Sequence, residues 1–227
     1  MDTLSLIRGF RFIDSFFPSG GYAFSSGLEA AVHGGTVRNA EELARYVEDI
    51  LRRGLGRCEA VAVGLAHGAA VNRTLGVALD ADRELDAMKI GREARLASRQ
   101  MGRQVGRIAG ELGGWPLLRD FFTEVESDRS PGHLAVSLGL TLGSFGWQRE
   151  DAIAAYLYQA VVGLVSAALR LLPIGQREAQ RLLDGWLPLI VERSQEAESR
   201  RRMTSWTPVQ DIYAMQHSRL AMRLFRS

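Results

Sequence analysis

The sequence contains very little of the chemistry that thiols and amines provide. Cys58 is the only cysteine and Lys89 the only lysine among 227 residues. A single cysteine excludes an intramolecular disulfide, a CxxC redox pair and a zinc cluster built from cysteines. This composition is typical of a protein that works in a reducing cytoplasm.

Catalytic signatures are also absent from the sequence. It has no GxxxxGK[ST] phosphate loop, no GxGxxG following a strand, no HExxH, no EF-hand loop and no GxSxG. No two of the four histidines, His33, His67, His133 and His217, have the i+3 or i+4 spacing that aims two imidazoles at one metal. We interpret them as hydrogen-bonded structural residues. An unrecognised small-molecule enzyme that uses a buried histidine such as His133 is the alternative.

One uncharged run, 152–169, has about the minimum length of a membrane span. Six of its positions are alanine, Gln159 adds a polar amide, and Arg170 follows at once. This composition favours a helix buried on all sides of a soluble bundle over a membrane span. The N-terminal stretch carries arginines and lacks a small-residue cleavage site, so we expect neither a signal peptide nor a membrane partner.

Helical spacing of apolar residues dominates the chain, and strand-like alternation is hard to find. The pattern predicts helices over 40–70, 82–112, 133–145, 150–172 and 176–197, the first with Asn39 as its N-cap. Glycine and proline clusters separate these segments. We therefore predict one all-α domain, 1–227, folded as a bundle of roughly eight to ten helices.

The predicted helix over 82–112 has two distinct sides. Small residues step by four along one side: Ser98, Gly102, Gly106 and Gly110. Arginines step by four beside them: Arg95, Arg99, Arg103 and Arg107. The first set indicates close backbone packing. The second is a solvated face or a surface for an acidic protein partner. A helical nucleic-acid or regulatory binding protein that uses the stripe at 95–107 is the alternative function. Nucleic acid is the weaker choice, because no aromatic side chains interleave with the stripe and 28 basic residues nearly balance 26 acidic ones.

The two ends of the chain have an unusual composition. Residues 16–29 combine aromatic, glycine and hydroxyl side chains around a turn, the pattern of a tightly packed corner. Residues 199–227 hold six arginines against Asp211 alone, together with aromatic and methionine side chains. Because these residue types are enriched at protein interfaces, we predict that 199–227 is a segment that docks on a partner.

Several segments share a pattern with one protein family. They are PSGGYAFSSGLEAAV at 18–32, EARLASRQMG at 93–102, GHLAVSLGLTLG at 132–143, LPIGQREAQRLL at 172–183 within the run from Tyr158 to Leu183, and RLFRS at 223–227. In this order and spacing they resemble the urease accessory protein UreF family. The family often has His-Glu-x-Gln near its C-terminus, whereas His217 is followed here by Ser218, Arg219 and Leu220. A role that needs the carboxylate of the family's glutamate is therefore not carried over to this sequence.

The resemblance implies an all-α cytoplasmic protein that forms homodimers and acts as a scaffold in urease maturation. Its partners would be UreD (called UreH in some organisms), the GTPase UreG and apo-urease, with nickel as the delivered ion. No catalytic residue and no tightly bound cofactor are expected, and nucleic acid is not expected as a partner. His217 and Cys58 are at most weak transit ligands for nickel, because a lone ligand makes a weak site.

The resemblance also assigns roles to individual residues. Those expected to shape the structural motif are Pro18, Gly20, Gly21, Gly27, Leu28, Pro173, Gly175 and Gln176. Those expected to contact partners are Tyr22, Ser25, Glu29, His217, Arg223, Leu224, Phe225, Arg226 and Ser227. Within the second group Phe225 would be the anchor buried in UreD, the arginines would meet acidic groups, and Tyr22 would lie on the surface.

Overall fold

Eleven α-helices make up the described part of the chain, residues 2–226, in the computed structural model. They are α1 (Thr3–Ile13), α2 (Leu28–His33), α3 (Ala40–Ile50), α4 (Glu59–Asn72), α5 (Leu75–Met88), α6 (Arg92–Glu111), α7 (Pro116–Glu126), α8 (Leu134–Ser144), α9 (Arg149–Leu171), α10 (Gln176–Ser199) and α11 (Pro208–His217). A 3₁₀ turn lies at Gly21–Ala23 and a π-helical turn at Leu51–Leu55. Residues 2–226 contain no strand, which confirms the all-α prediction.

Two of the predicted helices are divided in the structure, and the helix count therefore exceeds the predicted eight to ten. The segment over 40–70 is interrupted by the π-helical turn, which runs into a break before α4. The segment over 82–112 stops at Lys89, whose backbone leaves the helical region. The side chain of Lys89 donates to Oε1 of Glu59 at 2.6 Å, which ties this break to the start of α4.

The centre of the fold is the pair α4 and α8, whose residues are buried on nearly every side. Glycines allow the two backbones to approach closely. A Cβ atom on Gly139 would lie 2.5 Å from the carbonyl oxygen of Val63, and one on Gly143 would lie 3.0 Å from that of His67. Close packing of this kind leaves no room for an added methyl group.

Helix α9 packs against α4, α8 and α10, but it is not buried on all sides as predicted. By length and apolar composition it is the one helix in residues 2–226 that is suited to crossing a membrane, and half of that stretch is buried inside the chain. The other half is partly buried or exposed, with Tyr158 42% exposed. The prediction was wrong because the absence of charge along 152–169 reflects one buried face and one uncharged outer face.

The two sides of α6 agree with the sequence pattern, with one exception. Added Cβ atoms would clash with the backbone of 132–134 at Gly102 and with the Phe122 ring at Gly106, whereas Gly110 has open space. On the arginine side, Arg99 pairs with Asp86 and Arg103 with Asp128, both at 2.6 Å. The arginine stripe is therefore partly neutralised by the chain's own carboxylates.

Substitution of Gly139 by alanine tests the close packing of α4 and α8. Because the new methyl group meets Val63 and Ala66, we expect Gly139→Ala to lower the free energy of unfolding by about 1–3 kcal/mol. Gly185→Ala on α10 is the matched control, since nothing lies within 4 Å of its Cβ position, and it should stabilise the chain by about 0.5–1 kcal/mol. Urea unfolding measures both, and equal effects would contradict the packing.

Candidate functional site: the C-terminal tail on the N-terminal motif

The N-terminal motif forms a corner before α2 that two glycines make possible. Gly20 and Gly27 have φ angles of +81° and +84°, a left-handed conformation that L side chains rarely adopt. A Cβ atom on Gly27 would also lie 3.1 Å from the backbone nitrogen of Ala214 in α11. Leu28 then enters the core as the first residue of α2. The corner thus places α2 directly against α11.

The carboxylate of Glu29 in α2 is the centre of the site. It is buried and accepts hydrogen bonds from the backbone nitrogens of Leu224 at 2.6 Å and Phe225 at 3.2 Å, and from Nε2 of His217 at 2.8 Å. Burial alone would raise the pKa of Glu29. The two backbone donors and His217 outweigh it, and the pKa lies below its usual value. The C-terminal tail, residues 218–226, is thereby bound to the N-terminal motif of the same chain.

A second carboxylate extends the contact to α6. Oε2 of Glu93 lies 2.7 Å from Nδ1 of His217, and Oε1 accepts from Arg223 at 3.1 Å. The fully buried imidazole of His217 therefore bridges two carboxylates.

Arg170 at the end of α9 fixes the tail from the other side. Its guanidinium carbon lies 3.8 Å from the ring centroid of Tyr22 and 4.1 Å from that of Phe225. Nη2 of Arg170 also donates to the carbonyl oxygen of Tyr22 at 3.0 Å, and the backbone nitrogen of Arg226 donates to that of Ala23 at 2.8 Å. The last described residues are therefore anchored on the 3₁₀ turn.

A separate buried polar cluster surrounds His133. Asp82 accepts from the hydroxyl of Ser130 and from the backbone nitrogen of His133, at 2.7 and 2.8 Å. The imidazole of His133 contacts the Ser98 hydroxyl at 3.0 Å and the Asp86 carboxylate at 2.9 Å, and burial lowers its pKa. These bonds join α5, α6 and the start of α8, so the cluster is a structural crosslink.

The full length of the chain aligns with known proteins. The family model for UreF matches residues 37–186. A urease accessory protein UreF from Methylorubrum populi is 32% identical over 99% of this chain and all of its own length. Others come from Bacillus sp. strain TB-90, 29% identical over 98% of this chain and 99% of its own, and from Actinobacillus pleuropneumoniae serotype 3, 30% identical over 95% and 96%.

The chain belongs to the UreF family of urease accessory proteins. The matched region of the UreF model begins after α2 and ends before α11, so it contains Glu93 and Arg170 but neither Glu29 nor the tail. The full-length UreF relatives extend over both. The geometry around Glu29 thus concerns the parts of this UreF-family chain that lie outside the matched core.

The residues that the UreF resemblance assigned to partner contacts fall into two groups in the structure. The exposed group comprises Tyr22, Arg223, Leu224 and Arg226, with Tyr22 70% and Leu224 62% accessible. The buried group comprises Ser25, Glu29, His217 and Phe225. Ser227 lies outside the described residues.

The buried group corrects one sequence-based prediction. Phe225 was predicted to insert into a partner, but it packs into the core of its own chain and is 4% exposed. Glu29 and His217 likewise satisfy each other rather than facing outward. Their geometry holds the tail in place, and they reach a partner only if the tail leaves its site.

The structural-motif residues also differ in what they do. Gly20, Gly27 and Leu28 shape the corner, and Gly21 begins the 3₁₀ turn. Pro18 and Pro173 are exposed, and Gln176 begins α10 after the N-cap Gly175. Apart from its two chain neighbours, no described residue lies within 4 Å of a Cβ on Gly175, so that position has free space around it.

Two residues of the site were not singled out from the sequence. Glu93 is the first residue of the segment 93–102 that carried the family resemblance. Its negative charge, in a chain with a basic C-terminal tail, was the sequence signal that could have pointed to this contact. Arg170 was noted only as the end of an uncharged run. Its stack between two aromatic rings joins residues more than 50 positions apart, which no local pattern encodes.

The two transit candidates for nickel have little freedom to bind it. Both ring nitrogens of His217 contact carboxylates, and Cys58 is buried with its thiol pKa raised by burial. Residues 2–226 contain no group of three or more His, Cys, Asp and Glu side chains arranged for a metal ion.

Replacement of Glu29 by glutamine tests the carboxylate at the centre of the site. At pH 7 we expect Glu29→Gln to lower the free energy of unfolding by about 2 kcal/mol, because charge-assisted bonds to the tail and His217 are lost. Glu41→Gln, an exposed partner of Arg45, is the control and should change it by less than about 0.5 kcal/mol.

The difference in unfolding free energy between wild type and Glu29→Gln has a defined pH dependence. The pKa of Glu29 is lower in the folded chain than its usual 4.5, so its contribution is complete above about pH 4.5 and disappears as the pH falls through the folded value. The difference between wild type and Glu29→Gln in the free energy of urea unfolding should therefore shrink as the pH falls below about 4.5. A difference that grows as the pH falls below about 4.5 would contradict this assignment.

Proposed function

We propose that this chain is a non-catalytic scaffold for urease maturation in the cytoplasm. It binds UreD, or UreH, and recruits the GTPase UreG, so that nickel reaches the apo-urease active site while UreG hydrolyses GTP. Membership of the UreF family supports this proposal, since the relatives carry the name urease accessory protein. The partner surface is inferred from the closed tail, that is, the C-terminal tail bound to the N-terminal motif, because this contact brings exposed residues from both ends of the chain together.

The docking surface for UreD is the tail patch, which we define as Tyr22, Met222 and Leu224. All three side chains are more than 60% exposed although they are apolar or aromatic. The backbone nitrogen of Leu224 is bound by Glu29, and the ring of Tyr22 packs on Arg170. Neither residue therefore needs to be ordered on binding. A preorganised apolar patch of this kind reduces the entropy loss on association.

The outer face of α11 extends the surface available for UreD. Val209, Ile212 and Met215 are each between 45% and 48% exposed and lie on one side of the helix. Arginines of the tail, Arg223 and Arg226, border the tail patch. A partner with an apolar centre and acidic rim matches this composition.

A scaffold role agrees with the way the chain uses its polar groups. His133 and Asp82 crosslink helices, and Glu29 and His217 bind the tail. These side chains are turned toward one another inside the fold, where they stabilise it. The GTPase chemistry of maturation then comes from UreG, which this scaffold positions.

The outward face of α9 supports a homodimer. Between Asp151 and Arg170 the helix has no charge, and its outer side presents Tyr158 and Gly163. Gly163 has nothing within 4 Å of its Cβ position, so a second helix has room to approach. Two copies related by a two-fold axis bury the same face on both sides, as an isologous contact requires.

Substitution at the tail patch tests the scaffold proposal. After co-expression with UreD and UreG, wild type should co-elute with both on size-exclusion chromatography. Leu224→Asp places a charge in the centre of the patch and should weaken UreD binding at least about 30-fold, the effect of losing a hot spot. Its own stability should change by less than about 0.5 kcal/mol, because Leu224 is exposed.

Leu187→Asp on α10 is the control, since it adds the same charge at an exposed leucine away from the tail. It should co-elute with UreD and UreG as wild type does. Failure of wild type to co-elute with either partner would contradict the scaffold function. Equal binding by Leu224→Asp and wild type would contradict the tail patch.

A charge on α9 tests the dimer face. We expect Tyr158→Asp to convert a wild-type dimer of about 50 kDa, twice the 25.0 kDa chain, to a monomer in light scattering. The reason is that both copies would place a carboxylate in the same uncharged contact. Leu96→Asp, at an exposed position on α6, should remain a dimer. A monomeric wild type, or a dimeric Tyr158→Asp, would contradict this face.

A further inference from the structure

A groove around Trp115 lies between α1 and the turn that joins α6 to α7. Two adjoining hollows share this residue. The smaller, about 130 Å³, is lined by Arg8, Arg11 and Leu112, and the larger, about 220 Å³, by residues that include Pro116 and Arg119. Neither the tail contact nor the His133 cluster uses any of these side chains. The groove is therefore a feature that the scaffold surfaces do not account for.

The groove carries a concentration of positive charge that the chain leaves unbalanced. Within residues 2–226, Arg8 and Arg11 form no ion pair, and both are exposed. Arg119 approaches only Asp120, at 3.8 Å, with both side chains more than half exposed. Such an exposed pair contributes little and is easily exchanged for another carboxylate. Three arginines thus line the two hollows that share Trp115.

Apolar side chains continue from the groove along α1. Leu4, Ile7, Arg8 and Arg11 occupy positions i, i+3, i+4 and i+7, which share one side of a helix. Leu4 is 57% and Ile7 59% exposed. The resulting strip is apolar at one end and basic at the other, where it meets Trp115.

The walls of the groove are held rigidly from behind. Gly9 of α1 lies directly against the ring of Trp147, and Nε1 of Trp147 donates to the carbonyl oxygen of Ser5 at 3.1 Å. On the opposite wall, the ring of Trp115 packs on that of Phe145, with centroids 4.7 Å apart. The arginines therefore project from a fixed backbone, which reduces the cost of ordering them on binding.

We propose that this groove binds an acidic amphipathic segment of a partner protein. Carboxylates of the segment pair with Arg8, Arg11 and Arg119, while an apolar side chain packs on Trp115 and Leu112. Arginine and tryptophan are the residue types most enriched at binding hot spots, and Arg binds carboxylates through two parallel hydrogen bonds. A nucleic-acid strand fits less well, because successive bases stack on several aromatic rings and Trp115 is the one aromatic side chain among the described residues that line the two hollows.

Fluorescence anisotropy with a labelled synthetic peptide tests the groove in the full chain. The probe is a fluorescein-labelled 15-residue peptide of repeated Leu-Glu-Glu-Leu-Glu units. We expect saturable binding by wild type and at least a tenfold loss in R8E/R11E/R119E, together with a loss of about threefold or more in Leu112→Ser. The same peptide with lysine for glutamate should not bind.

The matched control is R177E/R181E/R202E, which reverses three exposed arginines that form no ion pair in the described residues. It should bind within about twofold of wild type, and unchanged far-UV circular dichroism shows that both triple variants are folded. A second readout is the ¹⁵N indole signal of Trp115, assigned with Trp115→Phe, which should shift on titration.

Three outcomes would overturn the proposal. One is no binding of the acidic peptide by wild type, and another is an equal loss in the two triple variants, which would mean unspecific attraction. The third is tighter binding of a labelled 15-nucleotide single-stranded DNA that R8E/R11E/R119E abolishes, which would assign the groove to phosphate. The scaffold proposal survives each of these results, since it is tested at Leu224 on a different surface.

Discussion

The buried carboxylate of Glu29 is the interaction on which the organisation of both chain ends depends. A buried carboxylate is costly unless donors surround it, and here the donors are two backbone N–H groups of the tail and the imidazole of His217. Removing the tail would leave the buried carboxylate of Glu29 without its two backbone donors. The N-terminal motif and the tail are therefore a single structural unit, separated by almost the whole sequence.

The fold class was accessible from the sequence because apolar residues recur at helical spacing along most of the chain. Two helix boundaries could not be predicted from the sequence. The break at Lys89 depends on its contact with Glu59, 30 residues earlier, and the π-helical turn has no local signature. The same limit applies to Phe225. An aromatic residue among arginines suits a partner or the chain's own core equally well, and Glu29, 196 positions away, decides between them.

The distribution of small residues explains why the fold has a dense centre and open edges. Gly139 and Gly143 let α4 and α8 approach closely, and Gly102 and Gly106 do the same for α6. Gly163 and Gly110 face open space and so contribute nothing to packing within the chain. Glycine in a helix costs about 0.5–1 kcal/mol relative to alanine, so helical glycines without an internal contact indicate surfaces rather than core.

The arginines of this nearly neutral chain lie in two different electrostatic environments. Arg99 and Arg103 are matched by carboxylates of the same chain, whereas Arg8 and Arg11 beside Trp115 form no ion pair within residues 2–226. The Debye length is about 8 Å at physiological ionic strength, so attraction to exposed, unmatched guanidinium groups weakens in salt. The tail contact rests on buried hydrogen bonds that salt screens far less. Ionic strength therefore separates the two surfaces: association at the groove falls as salt rises, while the closed tail and the apolar patch it presents persist.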